Sequence, residues 1–305
     1  MNPLPVNAMT IDVEDYFHVE AFSKQVGRDR WDGYPLRVES STLRLLDLLD
    51  RHDVKATFFV LGWVARKAPR LVAEIARRGH EIGCHSFWHR LVYNLTADEF
   101  RADLREATST IEDAAQTSLR GYRAPTYSIT RQSLWALEVL AEEGYTFDSS
   151  IFPLRHDLYG YPEFVRFPVR IRCGADARMS STSTIAEFPA STVKVFGKNL
   201  PGPGGGYLRI FPLRYALWAL KRIAGEGKPA TVYLHPWEID PEQPRISGSF
   251  RSRVRHYTGL GTTARRLEKL LTTFPFAPMG RVLEEHPPEE ACSLAELKGG
   301  IVNSK

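Results

Sequence analysis

Two imidazoles stand four residues apart in Cys84-His85-Ser86-Phe87-Trp88-His89, directly after the short apolar run Glu81-Ile82-Gly83. Residues i and i+4 share one face of a helical turn, so a single metal ion can take one nitrogen from each ring. Neutral imidazole is a common zinc ligand, with Zn–N about 2.0–2.1 Å. The chain has nine histidines, and two of nine can fall at this spacing by chance. The pair gains weight from three other chemically loaded positions. Acids cluster at Asp12, Glu14 and Asp15 after Ala8-Met9-Thr10-Ile11; Arg123 follows Gly121-Tyr122; His235 follows Thr231-Val232-Tyr233-Leu234. Each alone has a plain reading: a helix cap, a surface ion pair, a core histidine. All four sit where a strand is expected to end, and one rim would gather them.

The elements that must position these residues alternate. Strands are expected at Ala8–Val13, Ala56–Gly62, His80–Gly83, Gly121–Pro125 and Tyr145–Asp148. Between them, helical spacing covers Val38–Asp50 and Pro69–Arg78; Thr96 with Glu99 forms a capping box for a helix to about Ala115, and Thr130 caps one to Glu143. Such alternation means parallel strands with crossover helices, hence an α/β sheet or barrel. In barrels the C-terminal strand ends carry the active site. From Ser149 to Phe211 the pattern turns to irregular β structure, with the Gly202–Gly206 run expected as a flexible loop. Helices then cover Pro212–Gly225 and about Thr262–Thr273, with a strand at Pro229–Leu234 between them.

The 305 residues are 43% hydrophobic and 25% charged, which provides a sizeable core and argues against global disorder. A net charge of +4 lacks the dense basic stripe of a nucleic-acid binder. Cys84, Cys173 and Cys292 are odd in number and scattered, which fits a reducing compartment. The longest apolar stretch, Ala56–Ala65, is about ten residues, short of the roughly 20 that span a bilayer. With no basic n-region at the start, a cytoplasmic location is expected.

In order, Thr10-Ile11-Asp12-Val13-Glu14-Asp15, His85-Ser86-Phe87-Trp88-His89, Arg123-Ala124-Pro125, Phe147-Asp148-Ser149-Ser150 and Leu234-His235-Pro236 resemble the motifs of polysaccharide deacetylases of the NodB-homology type, carbohydrate esterase family 4. The first motif resembles a variant subgroup that includes a peptidoglycan deacetylase and allantoinase-like proteins. The stretch from His235-Pro236-Trp237-Glu238 to about Phe276 is similar to a form associated with exopolysaccharide loci in exosortase-bearing bacteria. The resemblance implies a distorted (β/α) barrel of seven strands. It also implies one deacetylase domain over residues 1–284, with a family-specific segment from about 236 and a loosely ordered tail over 285–305.

The activity implied is metal-dependent removal of N-acetyl groups from an amino sugar of a polysaccharide or its precursor. His85 and His89 would hold one divalent metal, most simply Zn2+, with Glu14 or Asp15 as carboxylate ligand. Strand alternation places Glu14 on the side of Asp12; a bend at Val13 would substitute Asp15. Asp12 would act as base, His235 as acid, Arg123 as the partner of Asp12, and Asp148 as a partner keeping His235 protonated. Trp31, Tyr34, Trp88, Tyr127, Tyr207 and Trp237 could stack on pyranose rings. Of these, Trp88, Tyr127, Tyr207 and Trp237, with Pro125, are the candidate substrate-binding residues. Arg251, Arg253, Arg255, Arg265 and Arg266 crowd with His256 into sixteen residues; they form either a solvated face or a site for a phosphate-linked precursor. Hydrolysis of a non-sugar amide, and non-catalytic carbohydrate binding, are the competing readings.

Overall fold

The structure is a computed structural model that describes residues 4–173, 183–288 and 293–299. Its centre is β1 (Asn7–Val13), in which every residue is buried, the signature of a strand covered on both faces. On one side β1 pairs in parallel with β2 (Thr57–Val60), which leads through β3 (Glu81–Cys84) and β4 (Gly121–Tyr122) to β5 (Phe147–Asp148). After β5 come β6 (Val169–Cys173) and β7 (Ser183–Glu187); β7 is parallel to β5, and β6 turns back antiparallel along β7. A separate hairpin joins β8 (Thr192–Val195) to β9 (Lys198–Pro201). On its other side β1 takes β10 (Thr231–Leu234), and β11 (Phe276–Ala277) pairs with its first residues.

Seven strands therefore run parallel in the order β10-β1-β2-β3-β4-β5-β7. Helices Val38–Arg51, Pro69–Arg77, Ala97–Ala115 and Trp135–Glu142 make the crossovers that parallel pairing requires. No ladder joins β7 to β10 among the described residues. A side chain spans that seam instead: the Thr231 N–H donates to Ser191 Oγ at 2.7 Å. The arrangement is the distorted α/β barrel expected, with its ladder left open between β7 and β10.

Local signals acted as chemistry dictates. The capping box forms between Thr96 and Glu99, and the helix runs to Ala115. β4 and β5 are shorter than expected; Pro125 has no N–H to give a ladder. The helix expected from Thr130 breaks into a 3-10 turn, Arg131–Ser133, followed by Trp135–Glu142. Helices Gly62–Lys67, Phe250–Tyr257 and Met279–Glu285 were not expected. Within the tail expected to be loosely ordered, Leu294–Gly299 form a short helix that buries Leu294 and Leu297, and Tyr161 donates to the Leu297 carbonyl at 3.0 Å. Cys84 and Cys173 are buried; Cys292 lies outside the described residues.

The glycine run is not a free loop. Gly204 and Gly205 press on the Tyr233 ring, where an added Cβ would lie 2.3 and 2.6 Å from ring atoms, and Gly205 sits at φ +47° as it opens the helix Gly205–Ile210. Glycine is needed there for close approach.

Asp148 and Glu187 end adjacent strands in register. Both are fully buried, and Asp148 Oδ2 and Glu187 Oε2 have no conventional hydrogen-bond donor. Burial pushes the Asp148 carboxyl up to about 6 and the Glu187 carboxyl well above its ordinary range. Burial and mutual repulsion favour one retained proton across the pair. Folded-state values raised above the unfolded ones give stability that is full at low pH and lost as pH rises through the folded values. We expect stability to decline as pH climbs from about 4 past 6, by on the order of 1–3 kcal/mol. Glu187→Gln, which supplies a permanent donor to Asp148, should flatten that decline; urea denaturation at several pH values is the check, and an unchanged slope would refute the shared proton.

Candidate active site

The C-terminal ends of the parallel strands converge on one cavity of about 410 Å³. β1 delivers Asp12 and then breaks: the Glu14 N–H turns back onto the Asp12 carbonyl at 3.0 Å, and both side chains stay on the site. Asp15 leaves it. Its Oδ2 accepts the N–H groups of Arg37 (2.7 Å) and Val38 (2.8 Å), and its Oδ1 that of Tyr16 (2.9 Å). Asp15 therefore satisfies orphan donors at the start of the helix Val38–Arg51 and stands outside the histidine cluster. Glu14 is the carboxylate that meets the histidines.

His85 and His89 do not lie on a helical turn. They follow β3 in an irregular loop in which Ser86 (φ +63°) and His89 (φ +50°) are left-handed. Asp103 of the helix Ala97–Ala115 accepts the N–H groups of Phe87 and Trp88 at 2.8 and 3.3 Å, and Arg28 donates to the Trp88 and His89 carbonyls at 2.6 and 2.9 Å. The His89 N–H donates to Ser86 Oγ at 3.0 Å. Thr126 and Tyr127, after Arg123, are left-handed too. Left-handed non-glycine residues carry roughly 1–2 kcal/mol of strain each, and such strain gathers at functional loops.

Glu14, His85 and His89 bring one ligand atom each to within 4.8 Å of the others, all buried. His85 Nδ1 donates to the Arg123 carbonyl at 2.7 Å, which fixes the tautomer that leaves Nε2 bare. Glu14 Oε2 lies 2.8 Å from His89 Nε2 yet accepts no hydrogen bond, an orphaned buried oxygen. Burial opposes ionisation of Glu14, but the charges of His89, His235 and His85 outweigh it and hold its carboxyl well below the usual range. Burial pushes His85 down to about 4. A bare nitrogen, an ionised carboxylate and an unsatisfied buried oxygen aimed together fit a divalent cation.

Beside this cluster lie the proposed base and acid. Asp12 Oδ1 accepts from Arg123 Nη1 at 2.7 Å, and Oδ2 lies 3.8 Å from His235 Nε2. Arg123 is 0% exposed and also donates to Thr10 Oγ1 and to the carbonyl and hydroxyl of Ser149. His235 Nε2 is 3.6 Å from Glu14 Oε1, and its Nδ1 is 3.0 Å from Glu238 Oε2. Burial lowers His235, but the hydrogen bond and charge of Glu238 prevail and lift it to about 9. Asp148 does not reach His235; it is bound to Ser150 Oγ and paired with Glu187. The residue paired with His235, expected to be Asp148, is Glu238, three residues along the His235 turn. Arg209, buried beneath, donates to Glu238 Oε1 at 2.5 Å.

The aromatic candidates divide. Tyr127 and Tyr207 line the cavity, joined by Tyr159 and Tyr233, which the sequence did not single out. Trp237 lines it also, but its faces are taken: His235 stacks on it at 5.2 Å and His256 at 4.2 Å, while its Nε1 donates to Glu14 Oε1. It orients the acid and the carboxylate rather than a sugar ring. Trp88 and Trp31 pack on each other and on the core, Tyr34 stacks on Phe17, and Pro125 is buried; none lines the cavity.

The arginine cluster divides likewise. Arg251 and Arg255 line the cavity and are exposed at its opening. Arg266 Nη1 donates to the carbonyls of Leu208, Arg209 and Phe211, ending the helix Gly205–Ile210. Arg253 and Arg265 point to solvent. His256 is buried against Gln243 and pushed down to about 3 by burial, so it adds no charge.

Residues 31–147 match the polysaccharide deacetylase family model, and residues 149–284 match a domain of unknown function, DUF3473. A peptidoglycan-N-acetylglucosamine deacetylase of Bacillus cereus is 37% identical over 98 residues, which is 32% of this chain and 36% of that protein. A chitooligosaccharide deacetylase of Sinorhizobium fredii is 32% identical over 100 residues, 32% of this chain and 44% of the relative. The matches thus span under half the length of these relatives. A solved structure described as a polysaccharide deacetylase from Mycobacterium smegmatis shares the fold, with TM-score 0.63 and 21% identity, over 96% of this chain and 94% of the other. The histidine pair and Arg123 stand within the stretch that matches the polysaccharide deacetylases, and His235 stands within the stretch that matches DUF3473.

Proposed function

We propose that this protein is a metal-dependent hydrolase that removes N-acetyl groups from an amino sugar. The observation that carries the reading is the placement of Asp12 and His235 beside the Glu14, His85 and His89 cluster in the lining of one cavity. Glu14, His85 and His89 would hold the ion, and two nitrogens with one carboxylate suit Zn2+. When bound, the ion supplies Lewis-acid polarisation of the amide carbonyl and acidifies water.

The chain's own residues do the rest. Arg123 pins Asp12 Oδ1, so Oδ2 faces the cavity as the proton acceptor. His235 Nε2, protonated through its tie to Glu238, stands within reach of the same point and gives its proton to the departing amine. Tyr127, Tyr159 and Tyr207 wall the cavity above them with apolar faces and hydroxyl groups. A pure binding site requires neither this base nor this acid.

The finer substrate follows from the cavity opening. Arg251 and Arg255 offer guanidinium forks with no carboxylate partner among the described residues, and such forks match phosphate oxygens. A cytoplasmic enzyme of exopolysaccharide assembly meets precursors rather than exported polymer, and precursors are carried on phosphates. We therefore assign a phosphate-linked N-acetyl amino sugar as substrate.

Three outcomes test this reading. His85→Ala should lose the metal by elemental analysis while circular dichroism stays native; stoichiometric metal in that variant would refute the ligand set. Asp12→Asn should keep its metal and lose roughly 10²–10⁴-fold in acetate release, and turnover near wild type would remove Asp12 from the mechanism. Charge reversal at Arg251 and Arg255 together should raise KM for a phosphorylated substrate at least tenfold and leave KM for its neutral analogue unchanged. Equal shifts for both substrates would return the two arginines to the solvated surface.

A further inference from the structure

The helix Phe250–Tyr257 forms part of the cavity opening, and its outer side sets apolar side chains between arginines. Phe250 is 80% exposed and Val254 44% exposed, one turn apart on a single stripe. Arg251 and Arg255 flank that stripe on the cavity side and Arg253 flanks it on the other, all exposed and without an ion pair among the described residues. Two further exposed apolar side chains, Leu158 at 44% and Ile210 at 43%, stand at the rim of the same cavity. The rest of the helix is anchored: His256 is buried, and Phe22 lies 5.0 Å from its ring and 6.1 Å from the Tyr257 ring.

Exposed apolar side chains gathered at one cavity opening mark an interaction surface. Arginine on both flanks selects its kind. Apolar side chains at the crest, with guanidinium groups able to snorkel beside them, are the pattern of a helix lying in the headgroup layer of an anionic bilayer. A protein partner would have to match an apolar pair and three like charges at once; a bilayer with acidic headgroups offers both over any area. No helix among the described residues is long and apolar enough to cross a membrane, so the contact would be peripheral.

We infer that the helix Phe250–Tyr257 docks the cavity opening onto an anionic membrane surface, with Phe250 and Val254 inserted and Arg251, Arg253 and Arg255 on acidic headgroups. The cavity then faces the bilayer, and a saccharide phosphate held on a lipid reaches the site without leaving the membrane. Docking goes beyond the hydrolytic reading and stands apart from it, since vesicle binding is measured without turnover.

The test is co-sedimentation of the full chain with vesicles of phosphatidylcholine alone and with about one third phosphatidylglycerol, at two salt concentrations. Binding should require phosphatidylglycerol and weaken with salt. Phe250→Ser with Val254→Ser should lower partitioning at least about tenfold. Arg253→Glu, outside the cavity, should lower it at least about fivefold. Both variants should keep wild-type KM and kcat on a water-soluble substrate. Absence of binding, binding equal on both vesicle types, or binding unmoved by the Phe250 and Val254 substitutions would each overturn the inference. So would a dimer, seen by sedimentation velocity, that the same double variant abolishes, because the stripe would then be a subunit interface.

Discussion

One buried guanidinium holds this site together. Arg123 touches β1 through Thr10 and Asp12, and the segment after β5 through Ser149. Its own carbonyl receives His85 Nδ1. The Phe59 ring lies 4.4 Å beneath the guanidinium carbon, so the charge rests on a π face as well as in a ring of acceptors. Each guanidinium nitrogen has a partner, the condition under which a buried cation is tolerated; leaving Asp12 alone in its place would cost about 3–5 kcal/mol. The orientation of Asp12 and the tautomer of His85 are thereby set by one side chain.

A second charged chain serves the acid. Glu238 lies between His235 and Arg209, and Arg209 Nη1 is in turn held by the carbonyls of Arg255, His256 and Thr258. Those carbonyls belong to the end of the cavity-rim helix and the residue after it. The acid's electrostatic support and the rim of the opening are therefore built on the same side chain. Trp237, between two imidazoles, keeps the stack in register.

How much of this could be read from sequence depended on how local the cause was. The central strands and the helix capped by Thr96 were legible because apolar periodicity and a capping box act within a few residues. The choice between Glu14 and Asp15 was not, because it is made by the N–H groups of Arg37 and Val38, more than twenty residues away. Glu238 was within reach, three residues from His235 on a turn, but the family resemblance drew the expectation to Asp148. Arg209 gave no sign at all. The tryptophans failed as ring-stacking candidates for a plain reason: the same apolar faces that suit a sugar suit the core, and Trp31 and Trp88 went there. Among the arginines, composition could count charges but not tell Arg251 and Arg255 from Arg266, whose guanidinium is consumed by three carbonyls.

The boundary between the two family matches falls at residue 148, inside a hydrogen-bonded sheet. β2 to β5 lie on one side of it, β6 to β10 on the other, and β1 with Asp12 and Glu14 precedes both. The candidate site draws Asp12 and Glu14 from the first stretch, the histidine pair and Arg123 from the second, and His235 with Glu238 from the third. Cutting the chain at that boundary would bare the edge of β5 and open the seam that Ser191 spans. Inheritance here is recorded in pieces smaller than the unit that folds, so grafting either matched segment onto another scaffold would carry a sequence signature without carrying an enzyme.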